Sequence, residues 1–207
     1  MHFKQVDTNL ELPIMEHFYT IQGEGRYTGR AAYFVRLAGC DVGCVWCDVK
    51  ESWDADLHPV LNLDELVSEI VSTGTELCVI TGGEPTLYDL NGIVNRLKTH
   101  SIETAIETSG TSPLLGDIDW YCFSPKKFKK PLDEAFDKAN ELKVVINHIS
   151  DLKWAEEHAL RVNKNCLLYL QPEWSKQERF LPEIIEFVKR NPKWRVSLQT
   201  HKFMNIP

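Results

Sequence analysis

Three cysteines that lie close together in the chain could hold an iron–sulfur cluster. Cys40, Cys44 and Cys47 fall within eight consecutive residues. Three thiolates on one short loop can ligate three irons of a cubane [4Fe–4S] cluster. The fourth iron would then lack a protein ligand at this loop, and an iron with an open position can bind a reactant. The open position separates a catalytic cluster from one that only carries electrons, and the rest of the chain must decide which of the two applies.

A zinc site in a non-catalytic binding module is the alternative use of the same cysteines. A histidine would have to complete the tetrahedral ligand set, and His17, His58 and His201 are the candidates. The context of the loop weakens this alternative, because the loop follows a predicted strand of an α/β unit. Small structural zinc modules fold autonomously instead.

Composition limits the cellular setting and the class of ligand. The chain has 207 residues, six cysteines and a formal net charge of −7. Neither a signal peptide nor an apolar run of membrane-spanning length is present, so we expect a cytoplasmic protein with reduced thiols and no membrane association. The acidic balance argues against nucleic acid as a ligand, because nucleic-acid binders normally present a basic surface. We expect the lysine-rich segment 126–130 to be mostly a solvated loop.

The elements that must position the cysteine loop alternate between strands and helices from about residue 31 onward. This alternation predicts parallel pairing with right-handed crossovers. We expect an α/β fold, an open and incomplete (β/α) barrel of about six parallel strands, in a single domain over residues 1–207. The predicted strands are 32–37, 77–81, 102–107, 119–123, 142–146, 166–170 and 194–199, and the predicted helices are 63–73, 89–99, 133–140, 151–162 and 177–189.

Several unusual loops follow predicted strands and should therefore meet at one edge of the sheet. In parallel α/β folds, reactive groups collect where strands end and helices begin. The segment 81–85 brings Gly82 and Gly83 to a strand end, where a backbone without side chains can approach a ligand. Glu84 follows with a carboxylate that can accept from an ammonium group. The other loops at this edge are the cysteine loop, 107–110 and 124–126.

These residues resemble the radical S-adenosylmethionine (SAM) superfamily. The three cysteines match its cluster motif, Trp46 its aromatic residue before the last cysteine, and segment 81–85 its glycine-rich motif for the methionine part of SAM. The resemblance implies a [4Fe–4S] cluster and SAM as cofactors, an electron donor such as flavodoxin or ferredoxin, and a 5′-deoxyadenosyl radical as the reactive species. The residues that it places near the cofactors are Trp46, Asp48, Gly82, Gly83, Glu84, Glu107, Ser124, Pro125 and Lys126.

A narrower resemblance covers nearly the whole chain and is to the 7-carboxy-7-deazaguanine synthases. It rests on segments 18–25, 34–40, 124–126 and 199–207. It implies a homodimeric carbon–nitrogen lyase that converts 6-carboxy-5,6,7,8-tetrahydropterin to 7-carboxy-7-deazaguanine with loss of ammonia, in queuosine and 7-deazapurine biosynthesis. The residues that it places near the substrate are Ile21, Gln22, Gly23, Glu24, Arg36, Thr81, His201 and Pro207.

Some of these residues have structural roles as alternatives. Arg36 could form a surface ion pair, Ile21 could belong to the core, and Glu107 could cap a helix. Asp48 and His201 could also be purely structural. A glycyl-radical-enzyme activase of the same superfamily is the alternative activity, and it would need an open groove for a peptide.

Val49 departs from the family pattern. The family commonly has Thr or Ser at this position, and the hydroxyl ligates a Mg²⁺ that also contacts the substrate carboxylate. Valine has no oxygen to offer a hard cation. We therefore expect that any Mg²⁺ is held by other atoms, or that a cation such as Lys50 or Lys126 replaces it.

Overall fold

The computed structural model describes residues 5–207, and its strands form one sheet. The strands are β1 (Glu11–Ile21), β2 (Ala31–Leu37), β3 (Val60–Asn62), β4 (Leu77–Gly82), β5 (Glu103–Thr108), β6 (Trp120–Phe123), β7 (Glu141–Ile146), β8 (Leu167–Pro172) and β9 (Trp194–Val196). The α-helices are α1 (Leu63–Ser72), α2 (Asn91–Thr99), α3 (Asp133–Lys138), α4 (Asp151–Ala159), α5 (Gln177–Arg190) and α6 (Thr200–Met204).

The sheet is mostly parallel and does not close. Its strand order is β3-β1-β2-β4-β5-β6-β7-β8-β9, so β3 and β9 are the two edges. All neighbours from β2 to β9 run parallel, and β1 pairs antiparallel with both β2 and β3. The expected open barrel is thus confirmed, with seven parallel strands instead of about six. The prediction of a single domain over the whole chain stays a prediction.

Strand alternation gives the sheet two different faces. On the face that packs against the helices, large side chains such as Val35, Ile80 and Leu142 join one extensive buried cluster. On the opposite face the buried cluster is small and consists of Ala32, Leu77, Val79 and Ala105. Successive side chains of a strand point to opposite faces, so this second face keeps space for a cavity.

The helix termini follow the local sequence. Asn62 caps α1, because its side-chain oxygen accepts from the backbone N–H groups of Asp64 (2.9 Å) and Glu65 (3.2 Å). Gly74 follows the helix with φ at 71°, a left-handed conformation that glycine adopts without a steric penalty. Pro182 lies inside α5, which begins at Gln177.

Three elements escaped the sequence analysis. β1 includes residues 18–21, the first half of the segment 18–25. β3 is too short to give a pattern. The last parallel strand stops at Val196 and not at residue 199 as expected, and α6, for which no element was predicted, begins at Thr200. Within residues 5–207, no helix has the length and apolar content needed to cross a membrane.

Candidate active site

A cavity of about 270 Å³ lies at the carboxyl ends of the parallel strands. It is lined by the cysteine loop after β2, the glycine-rich loop after β4, the ends of β5 and β6, the loop after β1 and the end of the chain. Of the residues predicted for substrate, cofactor or metal, all but one line it. The exception is Pro125, which is buried between Ser124 and Lys126. The prediction that Pro125 contacts a ligand is therefore not supported, since its ring packs into the protein.

The three cysteines of the cluster motif all face this cavity. Cys40 and Cys44 are buried, Cys47 is half-buried, and all three are free thiols. Burial raises the pKa of Cys40 above its ordinary value and that of Cys44 to about 11. Backbone hydrogen bonds from Gly39 to Ser52 (2.6 Å) and from Cys40 to Trp53 (3.2 Å) tie the loop to the segment that follows it.

This donor set fits an iron–sulfur cluster. Three soft thiolate ligands at one wall of a cavity suit a [4Fe–4S] cluster, with one iron left to face the cavity. Within residues 5–207, no three side chains of His, Cys, Asp or Glu are grouped to hold a single ion, as the zinc alternative would require. Of the histidines proposed to complete a zinc site, His17 hydrogen-bonds Tyr33 and His58 hydrogen-bonds the carbonyl of Glu51, both outside the cavity.

The glycine-rich loop lies directly against the cysteine loop. A Cβ atom on Gly83 would overlap the carbonyl oxygen of Gly39 and crowd the Cβ of Cys40. Gly82 has φ at 140°, and a side chain there would meet the backbone of Leu37. Only glycine at these two positions allows the loop to pack this closely, so the pair fixes the cavity wall beside the cluster loop.

The carboxylate of Glu84 is already engaged within the protein. One oxygen accepts from Thr86 and Thr108, and the other accepts from the backbone and hydroxyl of Ser109. The prediction that this carboxylate accepts from an ammonium group stays a prediction. In the structure the carboxylate joins the loop after β4 to the end of β5.

Arg36 is both a cavity residue and a member of an ion pair. It lines the cavity from β2, and its Nε donates to the carboxylate of Glu16 on β1 at 2.6 Å. Thr81, its register partner on β4, lines the cavity beside it. The ion pair and the ligand-facing position were alternatives in the sequence; in the structure the ion pair orients a guanidinium that faces the cavity.

The loop after β1 and the end of the chain close the cavity together. Thr200 donates to the carbonyl of Gly23 from its backbone (3.0 Å) and its hydroxyl (2.9 Å). The side-chain amide of Gln199 donates to Glu24 at 2.9 Å. A Cβ on Gly23 would overlap the Nδ1 atom of His201, so glycine is needed where the chain end meets this loop.

The last residues also return to the cavity. Asp48 pairs with Lys202 at 3.2 Å, and Pro207 accepts from the hydroxyl of Thr20 at 3.2 Å. Asn205 has φ at 54°, a left-handed turn that ends α6 and redirects the chain. The chain end is thus anchored by side-chain hydrogen bonds, and Pro207 lines the cavity.

The lysine-rich segment 126–130 is mostly exposed, as expected, but three of its lysines make contacts within the protein. Burial lowers the pKa of Lys126, whose Nζ donates to the carbonyl and hydroxyl of Ser124 at 2.6 Å. Lys127 pairs with Asp151, and Lys129 pairs with Asp41 in the cysteine loop. The segment therefore braces the cluster loop.

The sequence analysis missed a buried lysine at the floor of the cavity. Lys143 on β7 pairs with Glu24 at 2.6 Å and with Glu107 at 2.7 Å. Glu107 therefore forms an ion pair and caps no helix. Two residues earlier on the same strand, Glu141 accepts from the backbone of Arg26 at 3.1 Å. A signal was available, because two charged residues alternate with apolar ones in an otherwise buried strand.

These buried charges shift one another's ionisation. Burial alone would raise the pKa of Glu24, but the ion pair with Lys143 and the hydrogen bond from Gln199 lower it to about 2. Burial alone would lower the pKa of Lys143, but Cys122 and the surrounding carboxylates raise it well above its ordinary value. Burial raises the pKa of Glu141.

The open parallel sheet and the three cavity-facing cysteines define a radical SAM protein, and comparisons agree. The profile of the Radical SAM superfamily matches residues 35–153. A 7-carboxy-7-deazaguanine synthase from Flavobacterium psychrophilum is 56% identical over 95% of this chain and 93% of its own length. The synthase of Escherichia coli K12 is 34% identical over 95% of this chain and all of its own length.

A solved structure agrees with the sequence relatives. The crystal structure of QueE from Escherichia coli superposes with a TM-score of 0.81 at 32% identity, covering 91% of this chain and 93% of that one. The chain belongs to the 7-carboxy-7-deazaguanine synthase family. Membership in the radical SAM superfamily implies a [4Fe–4S] cluster and SAM as its cofactors.

Proposed function

We propose that the protein is a carbon–nitrogen lyase that converts 6-carboxy-5,6,7,8-tetrahydropterin to 7-carboxy-7-deazaguanine with loss of ammonia. Its relatives carry the name of that product, which belongs to queuosine and 7-deazapurine biosynthesis. The observation that carries the proposal is the convergence of Cys40, Cys44, Cys47 and Arg36 on one cavity that the chain end closes. Such a cavity suits a small anionic ring and not a peptide loop, which disfavours the activase alternative.

The cysteine side of the cavity would hold the cofactors. Bound together, the cluster and SAM supply a 5′-deoxyadenosyl radical able to abstract a hydrogen atom. The three thiolates would ligate the cluster, and Gly82 and Gly83 would let the methionine part approach the backbone. Because the carboxylate of Glu84 is engaged, we assign it the role of fixing that loop. The remaining residues proposed near SAM are Trp46, Asp48, Glu107, Ser124 and Lys126.

The opposite side of the cavity would hold the pterin. Arg36 offers a planar fork to the substrate carboxylate, and Glu16 fixes its orientation from behind. Glu24 would accept from ring N–H groups, as would the backbone oxygen of Pro207. Anchoring of the chain end excludes water from the reacting centre, which protects a radical from side reactions. The other residues proposed near the substrate are Ile21, Gln22, Gly23, Thr81 and His201.

Magnesium is the cofactor for which this chain has the fewest available side-chain ligands. Val49 lines the cavity where the family commonly has a hydroxyl, and the carboxylate of neighbouring Asp48 is paired with Lys202. We infer that no side chain at position 49 ligates Mg²⁺, and that Lys126, which lines the cavity, supplies positive charge there instead. Lys50, the other candidate, is exposed and does not line the cavity. We further propose a homodimer of single-domain chains in the cytoplasm, reduced by a flavodoxin or ferredoxin.

Turnover of the proposed substrate tests the function. The protein would be reconstituted with iron and sulfide without oxygen, reduced, and incubated with SAM and the carboxypterin. We expect 7-carboxy-7-deazaguanine and 5′-deoxyadenosine by mass spectrometry. Formation of 5′-deoxyadenosine without the deazaguanine would keep the superfamily and reject the substrate. Parallel reactions with a chelator and with added Mg²⁺ should proceed at similar rates, and strong dependence on Mg²⁺ would contradict the inference about Val49.

A further inference from the structure

Lys143 is a buried charged residue, and its burial needs a specific explanation. Its side chain is 4% exposed, yet it carries a charge on a strand whose other face packs into the main core. Lysine is almost never buried unless it is paired. Here it is paired twice, with Glu24 at 2.6 Å and with Glu107 at 2.7 Å.

The two carboxylates come from distant parts of the chain and both face the cavity. Glu24 follows β1, and Glu107 lies near the end of β5. Their side chains keep 16% and 21% exposure, more than Lys143 beneath them. Glu24 also receives the side-chain amide of Gln199, which starts the segment that closes the cavity. One ammonium group thus joins the loop after β1, the end of β5 and, through Glu24, the chain end.

The net charge of the three side chains Glu24, Glu107 and Lys143 follows from these contacts. Two ionised carboxylates and one ammonium leave one net negative charge at the cavity floor. Without the ammonium, two carboxylates in a low-dielectric site would repel each other, and one would take up a proton. While both carboxylates stay ionised, their repulsion would push them apart and the floor would lose its fixed geometry. A proton on one of them removes the repulsion and lets the two groups stay together.

We propose that Lys143 is a positioning residue whose ammonium group holds the carboxylates of Glu24 and Glu107 together in one orientation, so that the cavity floor accepts hydrogen bonds from the N–H-rich edge of a ring ligand. This inference rests on the proposed function, which supplies such a ligand in the pterin ring. Lys143 acts through the carboxylates, because its own N–H groups are directed at them. Nothing in the step requires Lys143 to exchange a proton.

Four other ionisable groups lie around Lys143 and its two carboxylate partners. Cys122 and Glu141 also face Lys143, and burial raises the pKa of both thiol and carboxyl. Lys126 and His201 are close enough to interact, and burial lowers the pKa of each. Because the pKa of His201 lies below its ordinary value of 6.5, the side chain is neutral at any pH above 6.5. A measurement above about pH 6.5 therefore isolates the pair of carboxylates from the titration of His201.

The test compares binding of a fluorescent, non-reactive analogue, the oxidised 6-carboxypterin, to reconstituted wild-type protein and to Lys143→Met. Methionine has a similar length and no charge. We expect the variant to bind at least about tenfold more weakly near pH 9, and to recover most of that loss near pH 6.5 as one carboxylate takes up a proton. The ratio of variant to wild-type dissociation constants cancels the titration of the ligand itself.

A double variant separates charge from packing. Lys143→Met combined with Glu107→Gln restores the net charge of the floor, and we expect it to bind several-fold better than Lys143→Met alone near pH 9. Lys153→Met removes an exposed lysine from α4 and should match the wild type. Iron content should be unchanged in every variant, and SAM binding should be unchanged in Lys143→Met, because the ion pairs of Lys143 are with Glu24 and Glu107 and not with the cysteine loop.

The outcomes distinguish this inference from the proposed function. If the wild type neither binds the analogue nor makes deazaguanine, the proposed function fails and the inference falls with it. If the wild type binds and Lys143→Met binds equally well, or loses binding equally at every pH without rescue by the double variant, the inference alone is overturned. Loss of iron or of SAM binding in parallel with the pterin would likewise make Lys143 a general structural residue.

Discussion

Arg36 shows how one side chain can serve stability and recognition together. Its Nε is fixed by Glu16 on the neighbouring strand while the side chain lines the cavity. The ion pair is partly exposed, so by itself it contributes little to stability. The ion pair instead holds the planar guanidinium of Arg36 in one orientation. A flexible side chain without this partner would lose conformational entropy on binding a ligand in that orientation.

We expect Arg36→Lys to weaken binding of the carboxypterin by about 2 kcal/mol, roughly thirtyfold, because an ammonium cannot bond Glu16 and a carboxylate in the same geometry. Iron content should be retained. Arg30→Lys is the matched control, since Arg30 pairs with Glu103 and does not line the cavity. Dissociation constants and iron content measured side by side check this. Equal loss of cluster and binding would mean that Arg36 is structural.

The segment after β9 is the element that completes the cavity. α6 has only five residues, too few to be stable alone. It is held by its contacts with the loop after β1, chiefly those of Thr200 and Gln199 with Gly23 and Glu24. Chain ends normally fray, and here two buried polar partners prevent it.

We expect Gly23→Ala to displace this segment, because the new Cβ would overlap His201. A shift of about 1 Å at a substrate-positioning element can cost about a hundredfold in kcat/KM. Gly74→Ala is the control: it lies after α1 in open space with positive φ, and should cost about 1 kcal/mol of stability without changing turnover. Steady-state kinetics and thermal unfolding of both variants test this expectation. Normal kcat/KM in Gly23→Ala would show that the segment tolerates the shift.

At the scale of the whole molecule, Glu141 and Lys143 are buried charged residues on the face of the sheet opposite the main core. Glu141 lies beneath the cluster of Lys143 and accepts from the backbone of Arg26 (3.1 Å) and the indole of Trp120 (3.2 Å), both at the same oxygen. Burial raises the pKa of Glu141 above its ordinary 4.5. The unfolded chain therefore loses this proton at lower pH than the folded protein does. The group makes unfolding more favourable as pH rises above 4.5, until the folded form also ionises.

Glu141→Gln should remove this pH dependence while keeping the two hydrogen bonds, since an amide oxygen can accept both. We expect the wild type to lose unfolding free energy relative to the variant as pH rises from about 5 to about 8. Anaerobic urea unfolding of the reconstituted proteins at several pH values measures the difference. A constant difference across that range would show that Glu141 is already ionised at its lower end.

The amino-acid sequence determined the order of the elements from β2 to β9 except β3, the cysteine motif and the glycine pair, because these depend on local periodicity and short spacing. It also located the cavity edge, since parallel strands necessarily bring their carboxyl ends together. Only the tertiary structure decided that the carboxylate of Glu84 is engaged, that Arg36 is held by Glu16, and that Lys143 joins Glu24 to Glu107. Those contacts link residues from 20 to 119 positions apart. No local pattern encodes such pairs, because they form only when the sheet brings distant strands and the chain end to one cavity.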